Sequence, residues 1–139
     1  MKPQTFNYDR LIKSEDLNHH KTLFAGRCAE WFVEAGFIAA ASVLPAANIV
    51  CLKVHGLMFT APMVAGEIAC FKSRIVKVGR TSLTTYISLT PQNKIEPVIS
   101  GFITFVHVNS EGKGEPHGLE LELETEEDYR LYQQALGLN

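Results

Sequence analysis

The sequence lacks long uncharged hydrophobic segments and an excess of charge of either sign. Its longest near-apolar stretch, residues 23–44, contains Arg27, Glu30 and Glu34, and three charges are costly inside a membrane. The 13 basic and 15 acidic residues give a net charge of −2, which leaves no basic surface for nucleic acid. The first twenty residues are polar and of mixed charge, so no signal peptide is expected. We therefore expect neither a membrane nor a nucleic-acid partner.

Short motifs for phosphate-binding loops, dinucleotide-binding folds and serine hydrolases are also missing. No Cys-x-x-Cys or His-x-x-x-His pair occurs, and the adjacent His19 and His20 cannot share a helix face, so no metal site is expected. The three cysteines, Cys28, Cys51 and Cys70, are an odd number spread along the chain. We interpret them as reduced, buried, small apolar residues of a cytoplasmic protein.

The length and the 46% apolar content fit a single domain over residues 1–139 with a substantial core. The pattern predicts a strand over residues 6–12, a polar loop, and a helix over residues 23–44 with Thr22 as its N-cap. This helix is apolar almost all round, so other parts of the protein must surround it.

Four runs rich in Val, Ile, Phe and Thr follow the helix, and the short turns between them predict antiparallel strands over residues 48–59, 67–78, 81–90 and 98–109. A capping box at Thr125 to Asp128 then predicts a short amphipathic C-terminal helix that stops at Gly137. A flat sheet cannot enclose an apolar helix. The pattern therefore predicts an α+β fold in which the sheet curls around the helix, or a second copy covers the remainder.

Five segments occur in order along the chain, and they carry the most specific pattern: residues 18–26, 31–36, 55–67, 78–82 and 102–108. They read Asn-His-His-Lys-Thr-Leu-Phe-Ala-Gly, a helix segment ending in Glu-Ala-Gly, a strand followed by Pro62 and Gly66, the turn Val-Gly-Arg-Thr-Ser, and a last strand containing Phe-Ile-Thr-Phe-Val. Together they resemble the hotdog-fold acyl-CoA thioesterases, the superfamily of acyl-CoA hydrolases and 4-hydroxybenzoyl-CoA thioesterases. The resemblance spans about residues 17–116 and implies an antiparallel sheet curled around a long central helix, plus the short C-terminal helix.

The resemblance also implies an activity and an assembly. Members of this family hydrolyse an acyl-CoA to a free acid and coenzyme A at a site between two protomers. A homodimer would be the smallest working unit, and tetramers and hexamers are common in the family. No metal or nucleotide cofactor is implied, because coenzyme A enters as part of the substrate.

Thioester hydrolysis needs a carboxylate to activate water and donors to polarise the carbonyl. Glu30 and Glu34 lie with Arg27 on one stripe of the predicted helix, and we prefer Glu34 because it lies in the matching Glu-Ala-Gly. Asn18 would orient the water or hold the thioester oxygen, and Gly26 with its neighbouring amides would stabilise the oxyanion. The plain alternatives are a solvated helix edge with an Arg27–Glu30 pair, and an Asx turn at Asn18.

The other predicted site residues would hold the coenzyme A arm and its phosphates: His20, Phe24, Thr60, Pro62, Gly79, Arg80, Thr81 and Ser82. The phosphates are placed at the Gly79 turn, where Arg80 can fork onto phosphate oxygens and Arg74 and Lys77 add positive charge. The alternative interpretation of residues 79–82 is an ordinary hairpin turn with charged edge residues.

The sequence departs from the family pattern at three positions. Lys21 and Ala25 replace loop glycines, and the acidic residue of many relatives falls on Val33. Because of Val33, a non-catalytic protein that binds acyl-CoA or an acyl-carrier protein stays an alternative, as does a purely structural dimerisation module. A 3-hydroxyacyl-thioester dehydratase is a further alternative, since His20 and Glu30 could imitate its His–carboxylate pair.

Overall fold

A computed structural model describes residues 1–138, in which one five-stranded sheet packs against two α-helices. The elements in chain order are β1 (Phe6–Leu11), α1 (Ala25–Ala41), β2 (Ile49–His55), β3 (Ile68–Val78), β4 (Ser82–Pro91), β5 (Ile99–His107) and α2 (Glu126–Leu136). Short 3₁₀ turns at Ser14–Asp16 and Ala46–Asn48 precede α1 and β2.

The sheet has the strand order β1-β3-β4-β5-β2, and every neighbouring pair is antiparallel. Short connections, residues 79–81 and 92–98, join β3 to β4 and β4 to β5, as predicted. The connection from β2 to β3 crosses the sheet instead, because β4 and β5 lie between these two strands. β2 ends at His55, before the predicted Phe59, since Gly56 takes a left-handed φ of +70° and the chain then leaves the sheet.

The core lies between α1 and the inner face of the sheet. Trp31 and Phe32 are among the largest fully buried side chains, and the Trp31 ring packs edge-on against Phe71 of β3. Gly36 lets the helix approach the sheet closely, because a Cβ built there would lie 3.0 Å from Thr85 Oγ1. The alternating inner residues of β4 are buried, Leu83 among them, as the period-two pattern predicts. The predicted α+β hotdog architecture is confirmed.

α1 begins at Ala25, two residues after the predicted start at residue 23. Phe24 is the N-cap, and its side chain makes no capping hydrogen bond. Thr22 belongs to the preceding loop instead, where its amide and hydroxyl both bond to Asn18, so it cannot serve the helix. The helix also ends at Ala41, before the predicted Leu44, and Ser42 is its C-cap.

α2 covers part of the outer face of the sheet, and its predicted capping box is confirmed. The Thr125 hydroxyl accepts the Asp128 amide at 3.0 Å, and Asp128 accepts the Thr125 amide at 3.0 Å. Burial alone would raise the pKa of Asp128, but amide hydrogen bonds from Thr125 and Glu124 and the Arg74 charge hold it below its ordinary value. Arg74 pairs with Asp128, so it holds α2 on the sheet and is not available for the phosphates.

The sheet of one chain does not enclose α1. Glu30, Glu34 and Ile38 lie on the uncovered side of the helix, and Gly26 is exposed at its first turn. A single chain therefore leaves this side of the helix open, as the second of the two predicted arrangements requires. Along residues 1–138, neither helix is long and apolar enough to cross a membrane.

The cysteines only partly follow their prediction. All three are free thiols, and Cys28, which belongs to α1, is buried as expected. Cys70 is half-buried and Cys51 is exposed, which contradicts the prediction for these two residues. The reason is the position of Cys51 on β2, an edge strand whose side chains from Val50 to Val54 are all exposed.

Candidate active site

Asn18 organises the loop that leads into α1. Its side-chain oxygen accepts the His20 amide at 2.8 Å, the Thr22 amide at 3.2 Å and the Thr22 hydroxyl at 3.3 Å. The contact with His20 is the Asx turn that was the plain interpretation of this residue. Lys21, which replaces a family glycine, has a φ of +63° and so keeps a backbone conformation that glycine favours.

The Asn18 amide nitrogen is the part of this side chain that can still bind a substrate. It donates one proton to the Thr22 hydroxyl at 3.1 Å, and its second proton has no acceptor among residues 1–138. The oxygen is already occupied by three donors. In this orientation, Asn18 can act toward a ligand only as a donor, which suits a thioester oxygen or a water oxygen.

The first turn of α1 lies beside this loop and offers uncapped amides. No side chain caps the helix, so the amides at residues 25–27 point out of its end. The Phe24 ring lies directly on Gly26, where a Cβ would come within 2.6 Å of Phe24 Cε2. The buried Asp16 fixes this turn, because its carbonyl accepts the Phe24 amide at 2.9 Å and its carboxylate lies 3.4 Å from Arg27 Nε.

The segment that crosses from β2 to β3 forms the other wall of this region. The buried Met63 accepts the Leu23 amide at 2.7 Å, which joins the segment to the entry of α1. Thr60 donates to the Val98 carbonyl at 3.3 Å, and Pro62 is exposed. A groove of about 380 Å³ runs along Thr60 and Met58. Thr60 and Pro62, which we predict to hold the coenzyme A arm, thus lie in an irregular segment after β2 and not in a strand.

The two candidate carboxylates have different surroundings. Glu34 accepts a hydrogen bond from the Tyr8 hydroxyl at 2.6 Å, so it is attached to β1. Glu30 is exposed and has no hydrogen-bond or ion-pair partner within residues 1–138. The Arg27–Glu30 pair of the alternative interpretation is not formed. Arg27 lies against Asp16, because the 3₁₀ turn before α1 brings that buried carboxylate to the first helical turn.

His20 and Val33 bear on the two alternative enzyme interpretations. His20 is exposed at the loop tip, its ring lies 3.9 Å from that of His19, and no contact with Glu30 is present in the described chain. The pair expected of a dehydratase is not assembled. Val33 is half-buried and packs against the core, so nothing acidic occupies the position at which many relatives carry their acid.

The predicted phosphate turn lies between β3 and β4. Gly79 donates its amide to the Ser82 carbonyl at 2.9 Å, and a Cβ at Gly79 would lie 2.5 Å from the Ser82 hydroxyl. The Thr81 carbonyl accepts the His107 amide at 2.7 Å. Arg80 is exposed and forms no ion pair within the described residues. The turn thus presents a free guanidinium at its tip.

One chain does not bring the two halves of the predicted site together. Asn18 and Gly26 lie where β3 begins, because Ile12 beside this loop pairs its amide with Glu67, the residue before β3. Arg80 lies just past the other end of β3, whose 11 residues span about 35 Å. The two regions therefore lie at opposite ends of β3 within one chain.

Other chemistries find no support in the described residues. Burial raises the pKa of the Cys28 thiol to about 11, so this cysteine is protonated near neutral pH and is not a nucleophile. Burial, together with Lys53 and Lys77, lowers the pKa of His55, whose ring bonds to the Thr104 hydroxyl at 2.7 Å. From Met1 to Leu138, no three metal-binding side chains come together.

Three residues in this region escaped the sequence analysis. Asp16 holds the first turn of α1, and Tyr8 with Arg10 contacts the uncovered side of the helix. Alternation along β1 would have placed Tyr8 and Arg10 on one face of the strand. The sequence contains no comparable signal for Asp16, because its partners come from a turn and from a helix eleven residues later.

Comparison with known proteins gives a consistent result. The family model of the thioesterase superfamily matches residues 20–97. The uncharacterized acyl-CoA thioester hydrolase YkhA of Bacillus subtilis is 26% identical over 125 residues, which are 87% of this chain and 72% of that protein.

Solved structures share the fold. An apo-hexameric acyl-CoA thioesterase superposes with a TM-score of 0.85 at 25% identity and covers 95% of this chain and 86% of its own. An acyl-CoA hydrolase of Staphylococcus aureus, solved with butyryl coenzyme A, coenzyme A and coenzyme A disulfide, gives a TM-score of 0.82 at 22% identity, with coverages of 95% and 79%.

Proposed function

Because the chain belongs to the thioesterase superfamily, we propose that it hydrolyses acyl-CoA thioesters to a free acid and coenzyme A. Its relative YkhA is named an acyl-CoA thioester hydrolase, and the 25% identical structural neighbour is an acyl-CoA thioesterase. The observation that carries the proposal is the pairing of uncapped amides at the start of α1 with the unused proton of Asn18 Nδ2. In the proposed reaction, these donors polarise the carbonyl oxygen of the thioester.

In the proposed reaction, a carboxylate of α1 takes a proton from a water molecule, whose oxygen attacks the thioester carbon. Negative charge develops on the carbonyl oxygen, and the amides at Gly26 together with Asn18 stabilise it. The carbon–sulfur bond then breaks, and the leaving sulfur takes the proton that the carboxylate held. Glu34 and Glu30 are the two candidate carboxylates, and coenzyme A is consumed and released only as part of the substrate and product.

The proposed site lies between two copies of the chain that pair through β2. This edge strand exposes Val50, Leu52 and Val54, and 67% of the Leu52 side chain is accessible. An exposed apolar edge strand pairs readily with another strand. The opposite edge is more polar, because β1 exposes Asn7 and Asp9 and only one large apolar side chain, Leu11, among its described residues.

A two-fold axis at this edge also joins the two halves of the site. Two β2 strands related in this way are antiparallel, so the Ile49 end of one copy meets the His55 end of the other. Ile49 pairs with His107, which contacts the Thr81 turn. The Arg80 turn of one copy therefore lies at the same end of the dimer as Asn18 of the second copy. We propose that Arg80 binds coenzyme A phosphates there.

The homodimer is the smallest assembly that this proposal requires, and a tetramer or hexamer built from it is compatible with the same site. The structural neighbour at 25% identity is described as hexameric. We treat residues 1–139 as one catalytic domain. The free thiols accord with the reducing cytoplasm, which stays our prediction for its location.

Free-thiol release from short, medium, long and aromatic acyl-CoAs tests the proposed function. We expect turnover of at least one substrate class, with one thiol and one free acid formed per thioester lost. The matched control is Ile95→Gln, since Ile95 is almost fully exposed in the turn after β4 and packs against no buried residue of the core. Tight binding of acyl-CoA without any release would contradict the proposal and support the non-catalytic alternative, for which Val33 is the main evidence.

A further inference from the structure

We infer that Glu30 supplies the carboxylate of the proposed hydrolysis, whereas Glu34 is a structural residue that fastens α1 to β1. This inference rests on the proposed function. It replaces our preference for Glu34, which came from the sequence resemblance alone. The evidence is the set of partners of each carboxylate and the direction in which each leaves the helix.

Glu34 belongs to a closed set of contacts on the β1 side of α1. The Tyr8 hydroxyl donates to Glu34 Oε2 at 2.6 Å, and Arg10 donates to the same hydroxyl oxygen at 2.7 Å. The Arg10 guanidinium lies 4.9 Å from the centre of the Trp31 ring. Burial, and then the bond to Glu34, raises the pKa of Tyr8, so the phenol stays a donor. A carboxylate engaged in this way is poorly placed to accept a proton from water.

The helix directs the two carboxylates to different sides. Measured around the axis from the buried Cys28, Glu30 lies at about 200°, almost directly away from the sheet. Glu34 lies at about 240°, toward β1, and Val33 lies at about 140°, on the opposite side. Glu30 is thus about 60° from Val33, whereas Glu34 is about 100° from it.

The Val33 side is the side that faces the exposed edge of the sheet. Phe32 lies against Gly101 of β5, and the Phe37 ring lies 6.0 Å from that of Phe105 on the same strand. β5 is the neighbour of β2, where we place the second copy. A group on this side or pointing straight out can line a cleft between two copies. Glu34, which leans toward β1 at the far edge, cannot.

Distance along the helix favours the same residue. Glu30 lies one turn, about 6 Å, beyond Gly26, whereas Glu34 lies about 12 Å beyond it. The attacking water must contact both its base and a carbonyl held at the first-turn amides, so the base must lie close to that turn. Glu30 has no competing partner in the described residues. Its side chain is also one methylene longer than that of an aspartate at position 33.

Steady-state hydrolysis of the best acyl-CoA by Glu30→Gln, Glu34→Gln and Tyr8→Phe tests the assignment. Glu30→Gln should lower kcat by at least about 100-fold with a KM within about threefold of native, as expected for loss of a general base. Glu34→Gln and Tyr8→Phe should keep kcat within about fivefold and lower the melting temperature instead.

A second experiment places Val33→Asp in the Glu30→Gln chain, where we expect at least about a tenfold recovery of kcat, since a carboxylate is restored on the same side of the helix. Val33→Asn in the same chain is its uncharged control.

The two hypotheses can fail separately. If native protein turns over but Glu34→Gln loses as much kcat as we assign to Glu30→Gln, the inference is wrong and the proposed function stands. Equal activity of the two double variants, with Val33→Asp or Val33→Asn added to Glu30→Gln, would also overturn it. No thiol release by the native chain would overturn the proposed function together with the inference. Circular dichroism of each variant separates these results from a failure to fold.

Discussion

Leu52→Asp should convert the assembled protein into single chains and remove its hydrolytic activity. Leu52 is the most exposed of the apolar side chains on β2, and we place it at the centre of the strand that pairs with its copy. Two aspartates brought together there by a two-fold axis would repel each other and lose hydration, at a cost of several kcal/mol. Light scattering and thiol release on the same samples measure both effects.

The matched control for this prediction is Ile95→Asp, which places the same charge on another exposed apolar residue. We expect this variant to keep its assembly and its turnover. The unfolding midpoint of the Leu52→Asp chain also has to be measured, because the single chain loses whatever its partner buries. A Leu52→Asp protein that keeps both the native mass and native turnover would show that β2 is not the working interface.

Asn18→Asp should lower turnover by about 100-fold or more while leaving the loop intact. Aspartate keeps the oxygen that accepts the His20 and Thr22 amides, so the Asx turn remains. It removes the only donor that Asn18 can offer a ligand and replaces it with an oxygen, which repels a developing oxyanion. Stopped-flow or steady-state thiol release, together with a thermal melt, separates the two roles of this side chain.

Asn18→Ala provides the comparison for this prediction. It removes the acceptor as well as the donor, so we expect a comparable loss of turnover plus a loss of stability of about 1–3 kcal/mol. The two variants should therefore differ in melting temperature but hardly in activity. If Asn18→Asp turns over like the native protein, Asn18 serves only the loop, and the oxyanion donors are the backbone amides alone.

The sequence predicts this fold well where one pattern dominates a segment. Leu83 and Ile87 mark β4 by strict alternation, and Thr125 marks the start of α2 by its capping box. The entry of α1 was less predictable. Thr22 has the chemistry of an N-cap, but Asn18 captures both its amide and its hydroxyl, and such competition between local partners is not visible in a linear pattern.

The candidate site is less predictable because its parts are set by tertiary contacts. Resemblance to the family drew attention to Asn18 and Gly26, and in the structure Asn18 lies in the loop that leads into the helix turn of Gly26. The resemblance favoured Glu34 over Glu30, because it could not show that Glu34 bonds to Tyr8, a residue of a distant strand. The sequence also did not show that Arg74 is unavailable to the phosphate turn, because its partner Asp128 lies in the C-terminal helix.

The central claim is that one active site is shared between two chains, and a mixture of two defective variants tests it most directly. Asn18→Ala removes the carbonyl-binding half, and Arg80→Glu removes the phosphate-binding half. Random re-pairing of an equal mixture makes half of the dimers mixed, each with one intact site, so activity should reach about a quarter of native at substrate concentrations well below KM. If native mass spectrometry shows mixed dimers but activity stays at the average of the two separate variants, each chain contains its own complete site and the account is wrong.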